Sequence, residues 1–404
     1  MSKAPKLRFK EFSGDWESKR LNDLCEKIMV GIASSATHAY RTSGIIMFRN
    51  QNIKPNHLDD TDILYLDEQY EKTHKSKRLM PGDLLTARTG YPGTTCVVPD
   101  KYINAQIFTT LITRPNKDLA ISEYLSQYIN SDIGTKFFKS VEIGGGQKNV
   151  NAETLKSLPI SIPSLKEQEK IASFFSLIDD KISLQGEKVE ALKDYKRGMM
   201  QKIFSRELRF KDDEGRDYPE WEEKKLGDVG IIVTGNTPST KEKDNYGDEY
   251  LWASPADLGY KKVIDDTINK LSFKGFDKIR KVPKGSILAT CIGSTIGKIG
   301  MASMEMSTNQ QINTLICNKD INNEFVYYSL EYNFPRYLSY VTAQAVPIIN
   351  KTQFQEFDIN VPVLDEQIKI GKTLSKIDLK IEKEQEKLDS LNQYKKGLLQ
   401  QMFV

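Results

Sequence analysis

PSLKEQEKIASFFSLIDDKISLQGEKVEALKDYKRGMMQKIF (Pro163 to Phe204) returns as PVLDEQIKIGKTLSKIDLKIEKEQEKLDSLNQYKKGLLQQMF (Pro362 to Phe403), 199 residues later and without a gap. Nineteen of the 42 aligned positions are identical, far beyond chance, so the chain is built on a long internal repeat. In the first copy Phe175, Ile178, Ile182, Val189, Leu192, Met199 and Ile203 follow three- and four-residue steps, the seam of a coiled coil. In the second copy Ile370, Leu374, Ile377, Ile381, Leu388, Leu391, Leu398 and Met402 do the same. Each segment reads as one helix of about 38 residues, roughly 57 Å long at 1.5 Å per residue. Pro163 blocks any helix upstream, and Ser164 with Glu167 forms a capping box. Val363 replaces that serine in the second copy, which makes Asp365 the expected cap there. The seam also carries polar residues at matching places, Gln185 and Glu384, Lys196 and Lys395. They either fix register or face solvent where the coil splays.

Outward from the helices the repeat continues more faintly. LRFK at Leu7 to Lys10 returns at Leu208 to Lys211, and Trp16, Leu21 and Asp23 return as Trp221, Leu226 and Asp228. MPGDLLTARTG (Met80 to Gly90) corresponds to VPKGSILATCIG (Val282 to Gly293), and NAQIFTTLI (Asn104 to Ile112) to NQQINTLI (Asn309 to Ile316). The plan is globular, helix, globular, helix, with segments 1–160, 161–205, 206–358 and 359–404. Short β-rich runs such as GIIMFRN, DLLTARTG, TTCVVP and IFTTLIT are punctuated by Gly, Pro and Asn. Helical stretches are expected at Ile121 to Ser140 and Glu324 to Val341. The fold class is therefore α+β: two mixed α/β globular modules, each followed by a long helix.

Composition narrows the function. With 404 residues, 39% hydrophobic and 28% charged, the chain is an ordinary globular protein. The start MSKAPKLRFKEF lacks the apolar core of a signal peptide, so a cytoplasmic protein is expected. Four scattered cysteines, without a CxxC pair, argue against a zinc ribbon or a disulfide scaffold. The net charge is only +3, and residues 1–160 hold 22 basic against 18 acidic side chains, residues 206–360 hold 20 against 23. Any nucleic-acid binding must come from local patches and shape.

Catalytic motifs are missing. His38, His57 and His74 all lie in the first half, without metal-ligand spacing, and read as surface or structural residues. GSTIGKI (Gly293 to Ile299) has three residues between its glycines where a phosphate loop needs four, and Ile299 where that loop needs Ser or Thr. There is no GxSxG elbow, no GxGxxG fingerprint and no Asn-Pro-Pro-aromatic segment. No metal or cofactor is expected in this chain, and it reads as a non-enzyme. What remains are polar loops. In the first half these are Arg49, Asn50 and Gln51; Arg88, Thr89 and Tyr91; and Gln147, Lys148 and Asn149 after the glycines at 144–146. In the second they are Thr234, Asn236 and Thr237; Ser294, Thr295 and Lys298; and Gln310 with Gln311. Arg, Asn and Gln can make paired contacts to guanine or adenine edges, while Lys, Ser and Thr can bind phosphates. Each loop taken singly could equally be a plain polar turn.

Two modules, each followed by a helix opening on LKEQEKI or LDEQIKI and closing on YKRGMMQKIF or YKKGLLQQMF, resemble the specificity subunit of Type I restriction-modification enzymes. The resemblance covers essentially the whole chain. It is most specific at P-x-L-x-E-Q-x-K-I with I-D-x-K-I (Pro163 to Ile182, Pro362 to Ile381), and GSTIGKIG and INK (Ile349 to Lys351) add to it. The first copy departs at Val150 to Ala152 and Arg88 to Thr95, the second at Ala343 to Pro347. The resemblance implies two target recognition domains reading a bipartite double-stranded DNA target, with Lys351 among the candidate contacts. It also implies an antiparallel helical spacer that docks two modification subunits and, through them, restriction subunits. S-adenosylmethionine, ATP and Mg would belong to those partners. A coiled-coil adaptor with protein-binding modules is the rival reading; a self-sufficient nuclease or methyltransferase is the other.

Overall fold

A computed structural model describes residues 4–145, 149–339 and 347–404. The chain divides into two compact units: Met1–Glu187 with Gln385–Val404, and Lys188–Glu384. The division runs through both long helices, so each unit owns the start of one helix and the end of the other. The helices span Leu165–Phe204 and Leu364–Met402, 40 and 39 residues.

In the first unit one antiparallel sheet has the order Cys25–Val30, Leu111–Pro115, Leu84–Thr86, Thr95–Val97. A second sheet has the order Gln106–Ile107, Ile45–Phe48, Leu64–Leu66, Tyr40–Arg41, with its first pair parallel. A ribbon of Glu17–Arg20 and Pro159–Ile162 ties the start of the globular part to the lead-in of the helix. The IFTTLIT run does not form one strand. Thr109 takes a left-handed φ of 54°, so Gln106–Ile107 and Leu111–Pro115 enter different sheets. The expected helix 121–140 is likewise two helices, Ser122–Asn130 and Asp132–Gly145, parted at Ser131.

The second unit repeats this plan. Its first sheet runs Gly230–Thr234, Ile312–Cys317, Ile287–Thr290, Ile299–Ala302, and adds a fifth strand, Val263–Ile264. Its second sheet has five strands, and Glu222–Lys225 pairs with Asp358–Val361. Turns of one kind, built from different residues, lead into the corresponding strands Leu84–Thr86 and Ile287–Thr290. Asp83 N bonds Met80 O with Gly82 at φ 85°, and Ser286 N bonds Pro283 O with Gly285 at φ 81°. Both place glycine where a left-handed φ is required. The helix Asn323–Leu338 covers most of the expected 324–341; residues 340–346 lie outside the described part.

The repeated E-Q pair proves to be structural. The Glu167 carboxylate accepts from Arg8 Nε and Nη2 at 2.7 and 2.8 Å, and Glu366 accepts from Arg209 Nε and Nη2 at 2.9 Å. Glu167 thus serves Arg8, and the expected capping box at Ser164 is not formed by its side chain. The cap assignment of Asp365 is also corrected. Val363 O accepts from Gln367 N, so Asp365 sits inside the first turn. Gln168 donates to Pro163 O and accepts from Ile121 N; Gln367 donates to Pro362 O and accepts from Asn322 N. Each glutamine therefore locks its helix start to the next helix of its own unit.

All the seam residues named above are buried or half-buried. Within the first unit Phe175 and Ile178 share a core with Leu398, Met402 and Phe403; within the second, Met200 and Ile203 pack with Ile370 and Leu374. In both units the helix ends run antiparallel. The polar seam residues do not face solvent through splaying. Lys395 pairs with Asp179, Lys196 with Asp378 and Glu331, and Glu384 with Lys188.

All four cysteines are free. Burial pushes the thiols of Cys25, Cys291 and Cys317 up to about 12, and that of Cys96 further. A raised thiol pKa removes the reactive thiolate at neutral pH. An aromatic disulfide reagent at pH 8 should therefore react slowly until denaturant is added; four fast equivalents from folded protein would contradict the packing.

Candidate nucleic-acid interface

In the first unit Asn50 gathers the candidate loops. Its Oδ1 accepts from Arg88 N at 3.2 Å and from Thr110 Oγ1 at 2.8 Å, while its Nδ2 donates to Thr89 Oγ1 at 3.2 Å. Arg88 O in turn accepts from Val150 N at 3.0 Å, which brings Asn149 to the same rim. Gln147 and Lys148 lie outside the described residues. Around this hub Gln51, Thr89 and Asn149 are exposed, and Tyr91 is 84% exposed, projecting from a turn with Gly90 at φ 76°. Arg49 is engaged within the fold, ion-paired to Asp62 at 2.8 Å, and Gln51 Nε2 also reaches Asp62 at 2.6 Å. Replacing Asn50 by alanine should cost about 1–3 kcal/mol by orphaning its partners. Hydrogen exchange at the Arg88 amide should accelerate; unchanged exchange would show that Asn50 is not the hub.

In the second unit the candidates converge at one end of the sheet that contains Gly230–Thr234 and Ile312–Cys317. Thr234 Oγ1 donates to Asn313 Oδ1 at 2.7 Å, and Thr237 Oγ1 donates to Gln310 Oε1. Gln311 O accepts from Cys291 N at 2.8 Å, and Cys291 O accepts from Ile349 N at 2.8 Å. Gly293 N donates to Pro347 O at 3.1 Å, so Ser294, Thr295 and Lys298 lie beside the Ile349–Lys351 segment. Asn350 caps the short helix Lys351–Gln355 and leaves Lys351 exposed. Thr237, Ser294 and Gln310 are exposed as well. Asn236 is structural: it accepts Arg280 N at 3.0 Å on its side chain and Trp252 Nε1 at 3.2 Å on its carbonyl.

Two residues of this rim escaped sequence reasoning. Lys298 Nζ lies 4.7 Å from the centroid of the Tyr260 ring, and Tyr260 is 81% exposed. Arg280 donates to Thr234 O at 2.7 Å. The run Tyr260-Lys261-Lys262 after Gly259, an aromatic against lysines, was the available signal. Exposed aromatic and basic side chains beside polar amides can contact bases and phosphates. Among the described residues no His, Cys, Asp or Glu group is placed to hold a metal ion, and no helix is long and apolar enough to cross a membrane.

The family model of the Type I restriction modification DNA specificity domain matches residues 13–194 and again 218–393. The chain belongs to the Type I restriction-modification specificity family. This specificity subunit is 26% identical to the putative type I restriction enzyme MjaX specificity subunit of Methanocaldococcus jannaschii, over 98% of this chain and 94% of that one. It is 24% identical to the HindI specificity subunit of Haemophilus influenzae, covering 86% and 90%. Its fold is similar to that of the Type I S subunit from M. genitalium, with a TM-score of 0.63 at 16% identity over 99% of both chains. The two matched stretches of this specificity subunit each contain one of the rims described above.

Proposed function

We propose that this specificity subunit is the non-catalytic, DNA-reading member of a Type I complex. Each rim reads one half of a bipartite, asymmetric target in double-stranded DNA. The long helices seat two modification subunits and, through them, the restriction subunits. S-adenosylmethionine, ATP and Mg are used by those partners, and the complex works in the cytoplasm.

One observation carries the reading. The parts that hold the helices are repeated residue for residue, Arg8 with Glu167 and Arg209 with Glu366, whereas the rims differ. Helices that keep the same motifs at the same spacing suit two copies of one partner. Divergent rims, Arg88-Thr89-Gly90-Tyr91 against Ser294-Thr295-Ile296-Gly297-Lys298, suit two different half-sites.

The test maps methylated adenines in cells carrying this chain with its modification subunits, before and after residues 1–160 are exchanged for another recognition module. One half of a gapped motif should change and the other persist. A change in both halves, or methylation by the isolated chain, would refute the reading.

A further inference from the structure

The two units place the same side chains around one spot on the long helices, yet fill it differently. The 199-residue offset sets Ser176 on Ser375 and Asp179 on Asp378. Gln168 receives Ile121 N just as Gln367 receives Asn322 N, which sets Glu123 on Glu324.

In the second unit an ammonium occupies this frame. Lys262 Nζ pairs with Glu324 and donates to Ser375 Oγ at 2.9 Å and to Tyr328 Oη at 3.2 Å. Ser375 Oγ also donates to Glu324 Oε2, and Lys262 stands directly before the fifth strand, Val263–Ile264.

Among the described residues the first unit has no such strand, and its sheet ends at Thr95–Val97. The Pro55–His57 turn comes there instead, with Asn56 N donating to Thr95 O at 2.9 Å. Where the lysine would reach lies a cavity of ≈ 310 Å³, with Glu123, Ser176, Asp179, Asp180 and His57 in its lining. Asp179 is satisfied by Lys395 and by Gln127 Nε2. Gln127 stands where Tyr328 stands in the second unit. Glu123, Ser176 and Asp180 line the cavity as exposed residues, and none of their side chains makes a hydrogen bond or ion pair to another described residue.

We propose that this cavity binds a primary alkylammonium group on an unbranched stem, supplied by a free diamine or by a lysine of a bound protein. The second unit shows the matching Glu and Ser ligating that group. An ammonium brings three donors as a compact point charge, which suits a carboxylate and a hydroxyl better than the planar fork of a guanidinium. A metal ion is disfavoured by the absence, among the described residues, of any set of three His, Cys, Asp or Glu placed to hold one.

Calorimetric titration of the full chain with 1,5-diaminopentane at low ionic strength tests the free-amine source. One saturable site is expected, weakened about tenfold or more in Glu123→Gln, as loss of a charge-assisted hydrogen bond implies. Glu190→Gln removes one helix carboxylate outside the cavity and should leave the affinity unchanged. The lysine source, which rests on the proposed function, is tested by carbodiimide coupling of the assembled complex. An amide between Glu123 or Asp180 and a modification-subunit lysine, without diamine binding, assigns the site to the partner. Absence of both diamine binding and coupling would overturn the proposal. So would diamine binding that Glu123→Gln and Glu190→Gln affect equally.

Discussion

Phe403→Ala should destabilise the first unit by about 3–5 kcal/mol, although it lies more than 200 residues from the segments it packs on. Phe403 is 4% exposed and stacks on Phe175 with ring centroids 5.9 Å apart. It meets Tyr124 and Tyr128 edge-on at 5.5 and 5.4 Å. Leu398 and Met402 enter the same cluster, Gln401 O accepts from Leu7 N, and Val404 O accepts from Tyr128 Oη. The truncation leaves a cavity among rings that cannot close in on it. Hydrogen exchange in the Ser122–Asn130 helix should accelerate strongly, while the Ile287–Thr290 strand of the second unit stays protected. Phe403→Leu should recover part of the loss. Equal deprotection in both strand and helix, or none in either, would contradict the assignment of the last residues to the first unit. A recognition module exchanged at residue 160 must likewise supply a seat for Phe403.

Arg8→Ala should cost about 3–5 kcal/mol, because it leaves a buried carboxylate without its counter-charge. Glu167 is 2% exposed at its side chain, and both of its oxygens are held by Arg8. Arg209→Ala should cost less. Glu366 keeps a hydrogen bond from Trp221 Nε1 at 3.2 Å, whereas the Trp16 indole N–H of the first unit makes none among the described residues. Combining Arg8→Met with Glu167→Leu should recover most of the loss, since an apolar pair of similar volume removes the stranded charge. Urea midpoints of the three variants give the order. An Arg209→Ala cost equal to or above that of Arg8→Ala would remove the role assigned to Trp221.

How much of this was legible in the residues differs by element. The heptad seam, the duplication and the α+β class could be read because helix periodicity and repeat identity are local, one-dimensional signals. The E-Q pair was visible as a motif but misread as a cap in the first copy. Its true partner, Arg8, lies 159 residues away, and nothing local to Ser164 announces it. IFTTLIT reads as β-rich, but its division between two sheets is hidden, because composition says nothing of a left-handed residue such as Thr109. The rim loops could be nominated from side-chain type. Their grouping around Asn50 and around Cys291 depends on backbone bonds between segments tens of residues apart in sequence.

That two related modules alternate with two long amphipathic helices follows from residue order alone, since apolar spacing and internal identity survive without any knowledge of distance. That the end of each helix completes the core of the unit that begins the other emerges only once the chain is folded. The same holds for the half-buried seam lysines paired with carboxylates, and for the helix-side pocket that Lys262 fills in the second unit and no lysine fills in the first. Those outcomes depend on which charges and rings meet across the fold, where burial sets the energy and sequence separation sets nothing.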